Sequence, residues 1–127
     1  MPTPQAYIAV VVDTTFVGDG GVRLQVKTAL LNATDIGNTQ VVAAVSGKKI
    51  RVIGYVLSNG GGSSINVNFQ SATTAISSTK TLAATGGGMS VGAPAGFYFE
   101  TTAGQALNLN LSAAGTVGLD ITYVEVT

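Results

Sequence analysis

The chain has 127 residues with six Lys/Arg, six Asp/Glu, no His and no Cys, so its formal net charge is zero. That balance argues against nucleic acid, which needs a basic field; the missing Cys excludes disulfides and thiolate metal sites, and the missing His excludes imidazole triads and His metal centres. Only 9% of the residues are charged and 46% are hydrophobic, against roughly 25% charged in ordinary globular domains, which predicts a surface covered largely by partners.

In chain order, Met1–Gln5 reads as an extended arm or edge, because Pro2 and Pro4 donate no ladder hydrogen bond. No basic leader opens the chain, so the expectation is synthesis in a cytoplasm without export. No apolar run approaches the ~18–20 residues that span a bilayer, so no membrane partner is expected. Ala6–Val12 is β-branched and reads as a strand, and Asp13–Gly21 as a loop ending in the turn signal Asp19-Gly20-Gly21. Val22–Thr28 alternates, with Val22, Leu24 and Val26 on one face and Arg23, Gln25 and Lys27 on the other. Ala29–Gln40 is ambiguous between more strand and a helical turn, then broken by Asn32, Asp35, Gly37 and Asn38. Val41–Val45 reads as a strand that could form a hairpin with the next one.

The stretch Lys49–Leu57 reads as the central strand. Strict alternation puts Ile50, Val52 and Val56 on one face and Ile53, Tyr55 and Leu57 on the other. A strand apolar on both faces needs cover on both, so the Ile53/Tyr55/Leu57 face is the candidate seam between copies of the chain. The basic cluster Lys48, Lys49, Arg51 reads as a strand end that discourages edge pairing. Asn59–Ser63 reads as a flexible hairpin loop. Ile65–Gln70 is the clearest half-buried strand, with Ile65, Val67 and Phe69 inward. Ser71–Lys80 is weakly patterned, with a short edge strand around Ala75–Ser77. Gly86-Gly87-Gly88 reads as a turn, Met89–Val91 as a short strand, and Gly92–Gly96 as a bend. Phe97–Glu100 is a strand with Phe97 and Phe99 in the core. Ala106–Leu111 places Leu107, Leu109 and Leu111 inward and Asn108 and Asn110 outward. Ala113–Gly118 turns. Leu119–Val126 closes with Leu119, Ile121 and Tyr123 on one face and Val124 and Val126 on the other. Short strands with turn signals every ~8–12 residues and no three-turn helix predict one all-β domain over residues 1–127, a jelly-roll-like antiparallel β-sandwich of about eight strands. The expected core is Ile50, Val52, Val56, Ile65, Val67, Phe69, Leu107, Leu109 and Leu111.

Little in the sequence points to chemistry. The six carboxylates are Asp13, Asp19, Asp35, Glu100, Asp120 and Glu125, and no two have the spacing of a calcium loop. Ser77-Ser78-Thr79-Lys80 matches S-x-x-K, but that spacing works when a helix puts Ser and Lys on one face, and this stretch is not helical. The glycines form neither G-x-G-x-x-G nor a P-loop. Asn32-Ala33-Thr34 and Asn110-Leu111-Ser112 match the glycosylation pattern by chance, given no secretory leader. No catalytic residue, cofactor or metal is expected. Tyr98 and Tyr123, each an apolar body with a polar tip, are candidate interface anchors.

From Val41 to Val126 the order VVAAVSGKKIRVIGYVLS, LAATGGG and GFYFETTAGQALNLNLSAAGTVGLDITYVEV resembles short β-sandwich proteins encoded among the virion genes of tailed bacteriophages, over about two thirds of the chain. Such proteins resemble head decoration (cement) proteins or tail-fibre-associated modules. The resemblance implies a non-enzymatic structural protein of the virion, assembled in the host cytoplasm. It would self-associate as a homotrimer and dock on the major capsid protein of the phage head. The first forty residues carry no part of the resemblance, and the candidate contact residues come from the strand and side-chain pattern: Met1, Pro2 and Pro4 of the arm, the seam Ile53, Tyr55 and Leu57, and the anchors Tyr98 and Tyr123. The alternatives are a tail-fibre or spike module binding host glycan through Tyr98 or Tyr123, and a neck or tail connector. An enzyme acting through Glu100 or Asp120 ranks last.

Overall fold

A computed structural model describes residues 15–17, 23–92 and 96–127. The expected arm at Met1–Gln5, the strand at Ala6–Val12 and most of the Asp13–Gly21 loop and the Gly92–Gly96 bend lie outside the described residues. Every regular element among those described is a strand: β1 (Thr15–Val17), β2 (Arg23–Gln25), β3 (Lys27–Ala33), β4 (Gly37–Val42), β5 (Lys49–Asn59), β6 (Ile65–Ser71), β7 (Thr74–Ala75), β8 (Lys80–Leu82), β9 (Gly87–Gly92), β10 (Phe99–Glu100), β11 (Leu107–Leu111) and β12 (Val117–Val126).

They build two antiparallel five-stranded sheets that pack as a sandwich, beside a two-stranded ribbon of β1 and β2. The first sheet runs β3-β12-β5, and β9 and β10 lie end to end along the far side of β5. The second runs β4-β11-β6, and β7 and β8 lie end to end along the far side of β6. The reason for the stack is the period-two pattern. Leu107, Leu109 and Leu111 on β11 and Ile65, Val67 and Phe69 on β6 all turn inward and are buried. They meet Leu57 from β5 and Val117, Leu119 and Ile121 from β12 in one continuous core. Aromatic rings close one end of it: Phe69 lies 5.0 Å from Tyr55 and 4.9 Å from Phe99, centroid to centroid.

The central strand corrects the simple alternation. β5 pairs with β12 in a register that shifts: Gly54 lies opposite Thr122 and Val52 opposite Tyr123, so Ile53 has no partner of its own. This is a β-bulge, and one extra residue resets which side chains face inward. Ile50 and Val52 point into the core before it, and Tyr55 and Leu57 point into the core after it. Val56, expected in the core, is therefore outward and 45% exposed. Tyr55 and Leu57, expected on an intersubunit seam, are interior residues, as is Tyr123. Phe97 is not core either; it stands at the surface with the Arg51 guanidinium 4.3 Å above its ring.

Connectivity differs from the expectation in four further places. β4 ends at Val42 and joins the second sheet beside β11, so no hairpin forms with β5, which belongs to the first sheet. The Val22–Thr28 alternation is split at Val26 into β2 and the start of β3. The 59–63 loop is not a hairpin, because it carries the chain from β5 to β6 in the opposite sheet. The buried Asn59 pins it: Nδ2 donates to the carbonyls of Ser63, Leu82 and Ala83, and Oδ1 accepts from the Gly61 N–H at 2.9 Å. Gly87 and Gly88 begin β9 rather than forming a turn. A Cβ at Gly88 would run into the Leu57 carbonyl oxygen, so only glycine lets β9 lie this close to β5.

Candidate assembly surface

Partner contacts must come from what the sandwich turns outward. On the second sheet, the outward rows are Asn38–Asn110–Asn68 and Gln40–Asn108–Gln70, read across β4, β11 and β6. These amides bond to one another. Asn110 Nδ2 donates to Asn38 Oδ1 at 2.8 Å, Asn38 Nδ2 donates to Gln70 Oε1 and to the Ala72 carbonyl at 3.0 Å, and Asn108 Nδ2 donates to the same carbonyl at 2.8 Å. Thr81 Oγ1 adds a bond to Asn66 Oδ1 at 2.7 Å. The face is polar, uncharged and tied together by its own hydrogen bonds.

The first sheet turns outward a different surface. Across β3, β12, β5 and β9 one row reads Leu30–Asp120–Val56–Ser90. Leu30 is 78% exposed and Val56 45%. The rows on either side are Asn32–Gly118–Ser58–Gly88 and Thr28–Thr122–Gly54–Gly92. Their small members leave a low floor from which Leu30 and Val56 stand up, with a shallow hollow on each side of Val56 and the partly exposed Ile53 beside it. Asp120 makes no ion pair among the described residues. The surface carries two raised hydrocarbon side chains and a single carboxylate above small neutral residues.

At one end of this sheet two cations of the basic cluster, Lys49 and Arg51, are spent internally. Arg51 Nε donates to Glu100 Oε1 at 2.9 Å, and Lys49 Nζ lies 3.5 Å from Glu100 Oε2. Arg51 lies opposite Val124 and Lys49 opposite Val126, and both valines are buried. Lys27 pairs with Glu125 at 3.0 Å. Tyr98 is exposed, and its hydroxyl donates to the Gly92 carbonyl. Its ring meets Tyr55 edge-on at 6.2 Å. Burial, and to a lesser extent the Tyr98 phenol, push the Tyr55 hydroxyl above the ordinary tyrosine value.

Of the candidate contact residues, Ile53 and Tyr98 reach the surface, Tyr55, Leu57 and Tyr123 do not, and Met1, Pro2 and Pro4 lie outside the described residues. The sequence reading missed Leu30 and Asp120 as neighbours of Val56. Leu30 fell in the ambiguous stretch, and only the pairing of β3 with β12 brings the three into one row. The chemical motifs do not assemble. Lys80 Nζ donates to Ser78 Oγ at 2.7 Å, while Ser77 Oγ accepts the Phe69 N–H at 2.8 Å, so the Ser and Lys of S-x-x-K are engaged elsewhere. Glu100 is held by two cations and Asp120 lies on an open face. Among the described residues no three His, Cys, Asp or Glu gather as a metal site, and no helix is long and apolar enough to cross a membrane.

No family model matches the chain, and no curated protein matches it. Among solved structures it is similar to a chain of the "Cyanophage Pam1 capsid asymmetric unit", at 16% identity and a TM-score of 0.45, over 80% of this chain and 84% of that one.

Proposed function

We propose that the chain is a structural protein of a tailed-phage virion, a capsid decoration or cement protein that self-associates as a trimer and stabilises the assembled head. The observation that carries this reading is the exposed Leu30–Val56 face around Asp120, in a chain with only 9% charged residues. Leaving such a face in water forgoes about 25 cal/mol for each Å² of apolar surface a partner would cover. The sequence resemblance of Val41–Val126 to small virion proteins supplies the setting. The strand order β3-β12-β5-β9/β10 over β4-β11-β6-β7/β8 supports a jelly-roll reading of the sandwich.

The mechanism is thermodynamic. A protein that binds only the closed shell shifts the equilibrium away from rupture by its binding free energy. A three-fold contact is heterologous, so Asp120 of one copy does not have to meet Asp120 of the next, as it would in a face-to-face two-fold pair centred there. Ile53 and Tyr98 are the contact residues retained from the sequence, and Met1–Gln5 is the proposed grip on the shell.

The test is binding to heads that lack the protein. Saturable binding at hundreds of copies per particle is expected, and Val56→Lys, which sets an ammonium opposite Asp120, should weaken it by tenfold or more with little change in the melting temperature. A few copies per particle would assign the chain to the tail or neck, and binding to a glycan array lost on Tyr98→Ala would assign it to a receptor-binding module. A stable monomer at micromolar concentration in sedimentation would remove the trimer.

A further inference from the structure

We infer that β3 is a pairing edge: two copies of the chain join their first sheets by setting β3 against β3 in antiparallel register across a two-fold axis centred on Leu30. The inference stands apart from the virion reading, since it follows from the strand itself.

β3 is the outermost strand of its sheet, and among the described residues no strand lies on its outer side. Alternate N–H and C=O groups of an edge strand point away from its one neighbour and form a template for another chain. Proteins usually blunt such edges with proline, a bulge, an outward lysine, or brevity. β3 has none of these. It is seven residues long, Lys-Thr-Ala-Leu-Leu-Asn-Ala. Its register with β12 runs unbroken from Lys27–Tyr123 to Ala33–Val117. Its only charge, Lys27, is at its first residue and is drawn back onto Glu125. The opposite side of the same sheet is different: β10 has two residues, and three of the six in β9 are glycine.

A second copy fits this edge better than an arbitrary strand because β3 complements itself. Centring the pair on Leu30 sets Leu30 beside Leu30 of the other copy, Ala29 beside Leu31, Thr28 beside Asn32, and Lys27 beside Ala33. No charge faces a charge, and a chain of zero net charge does not repel its copy. The exposed Leu30 gains a leucine neighbour at cross-strand distance. On the inner side, Ala29 and Leu31, both packed on the core, continue the apolar layer into the second subunit. The two Asp120 carboxylates then lie three strand spacings apart, roughly 14 Å, beyond the screening length at physiological salt. The outer row becomes Val56–Asp120–Leu30–Leu30–Asp120–Val56, one wide face still free for a shell. In an assembly with three-fold contacts, this two-fold contact would link neighbouring trimers.

Because the chain has no cysteine, single-cysteine variants report the register without background. Leu30→Cys should form a disulfide-linked dimer on mild oxidation, several-fold faster than Thr28→Cys or Asn32→Cys alone. Mixing the last two variants, one carrying a size tag, should give the mixed dimer. In hydrogen exchange, the outward amides of β3 should gain protection as concentration rises from nanomolar to high micromolar. Equal oxidation rates at positions 28, 30 and 32, with no enhancement in the mixture, would overturn the register. Full protection of those amides already at nanomolar concentration would overturn the proposal too, because the chain itself would then be occupying the edge.

Discussion

Across the outer side of the second sheet the middle row is Asn38–Asn110–Asn68; across the first it is Leu30–Asp120–Val56–Ser90. Both rows are the outward half of the same alternation. On the second sheet the amides of Asn38, Asn68, Asn108, Asn110 and Gln70 are answered by neighbours, so a partner settling there would have to replace bonds already made. On the first sheet two hydrocarbon side chains rise from a floor of Gly, Ser, Thr and Asn, and the Asp120 carboxylate has no cation beside it among the described residues. A sandwich with few charges stays in water on its amide side and invites cover on its aliphatic side. The difference locates where a partner gains most.

The hardest test of that contrast is the bulge at Ile53, which decides what the first sheet shows. Leu57→Ala, at a fully buried position, should cost about 2–5 kcal/mol of folding stability. Val56→Ala, one residue earlier and outward, should stay within about 0.5 kcal/mol. Urea unfolding of the two variants measures both. If Val56→Ala proved the costlier, the facing of β5 would be reversed, and Val56 would leave the proposed contact surface.

A smaller effect sharpens the other side. Asn38→Ala and Asn110→Ala should each cost about 0.5–1.5 kcal/mol. The double variant should cost less than their sum by a few tenths of a kcal/mol or more, since the pair shares one bond. Neither change should alter self-association, measured by sedimentation. Loss of assembly on changing Asn38 or Asn110 would move the partner contact to the amide face and invert the comparison.

The second sheet was legible in the sequence on β6 and β11, because those two strands keep strict alternation. Leu107/Leu109/Leu111 and Ile65/Val67/Phe69 were assigned inward and are inward. Asn108 and Asn110 were assigned outward, though not that they would bond to groups 36 and 72 positions away, the Ala72 carbonyl and Asn38. The first sheet was misread on β5, where a bulge breaks the alternation. Nothing local marks Ile53 as the bulged residue; the register shift exists only against Tyr123 and Thr122, some seventy positions later. That single shift exchanged Val56 for Tyr55 and Leu57, and so misplaced the proposed seam. Leu30 was unreadable for a related reason: its stretch carries helix- and strand-compatible residues together, and pairing with β12 decides between them.

The smallest expected effect probes the inner side of the same bulge through pH. Tyr55 is interior, and burial, with Tyr98 as the lesser cause, raises its hydroxyl above the ordinary value. The unfolded chain therefore ionises this phenol first, near pH ~10. Above that point the unfolded state binds fewer protons than the folded one, so stability falls as pH rises. The contribution is fully present below pH ~10 and is lost as pH climbs through the raised folded value. Tyr55→Phe removes the ionisable group while keeping the ring against Phe69 and Phe99. Its unfolding free energy between pH 9 and 11 should fall less steeply than that of the parent chain. Parallel slopes in the two proteins would mean that Tyr55 reaches water in solution, and with it that the strand after Ile53 does not turn this residue inward.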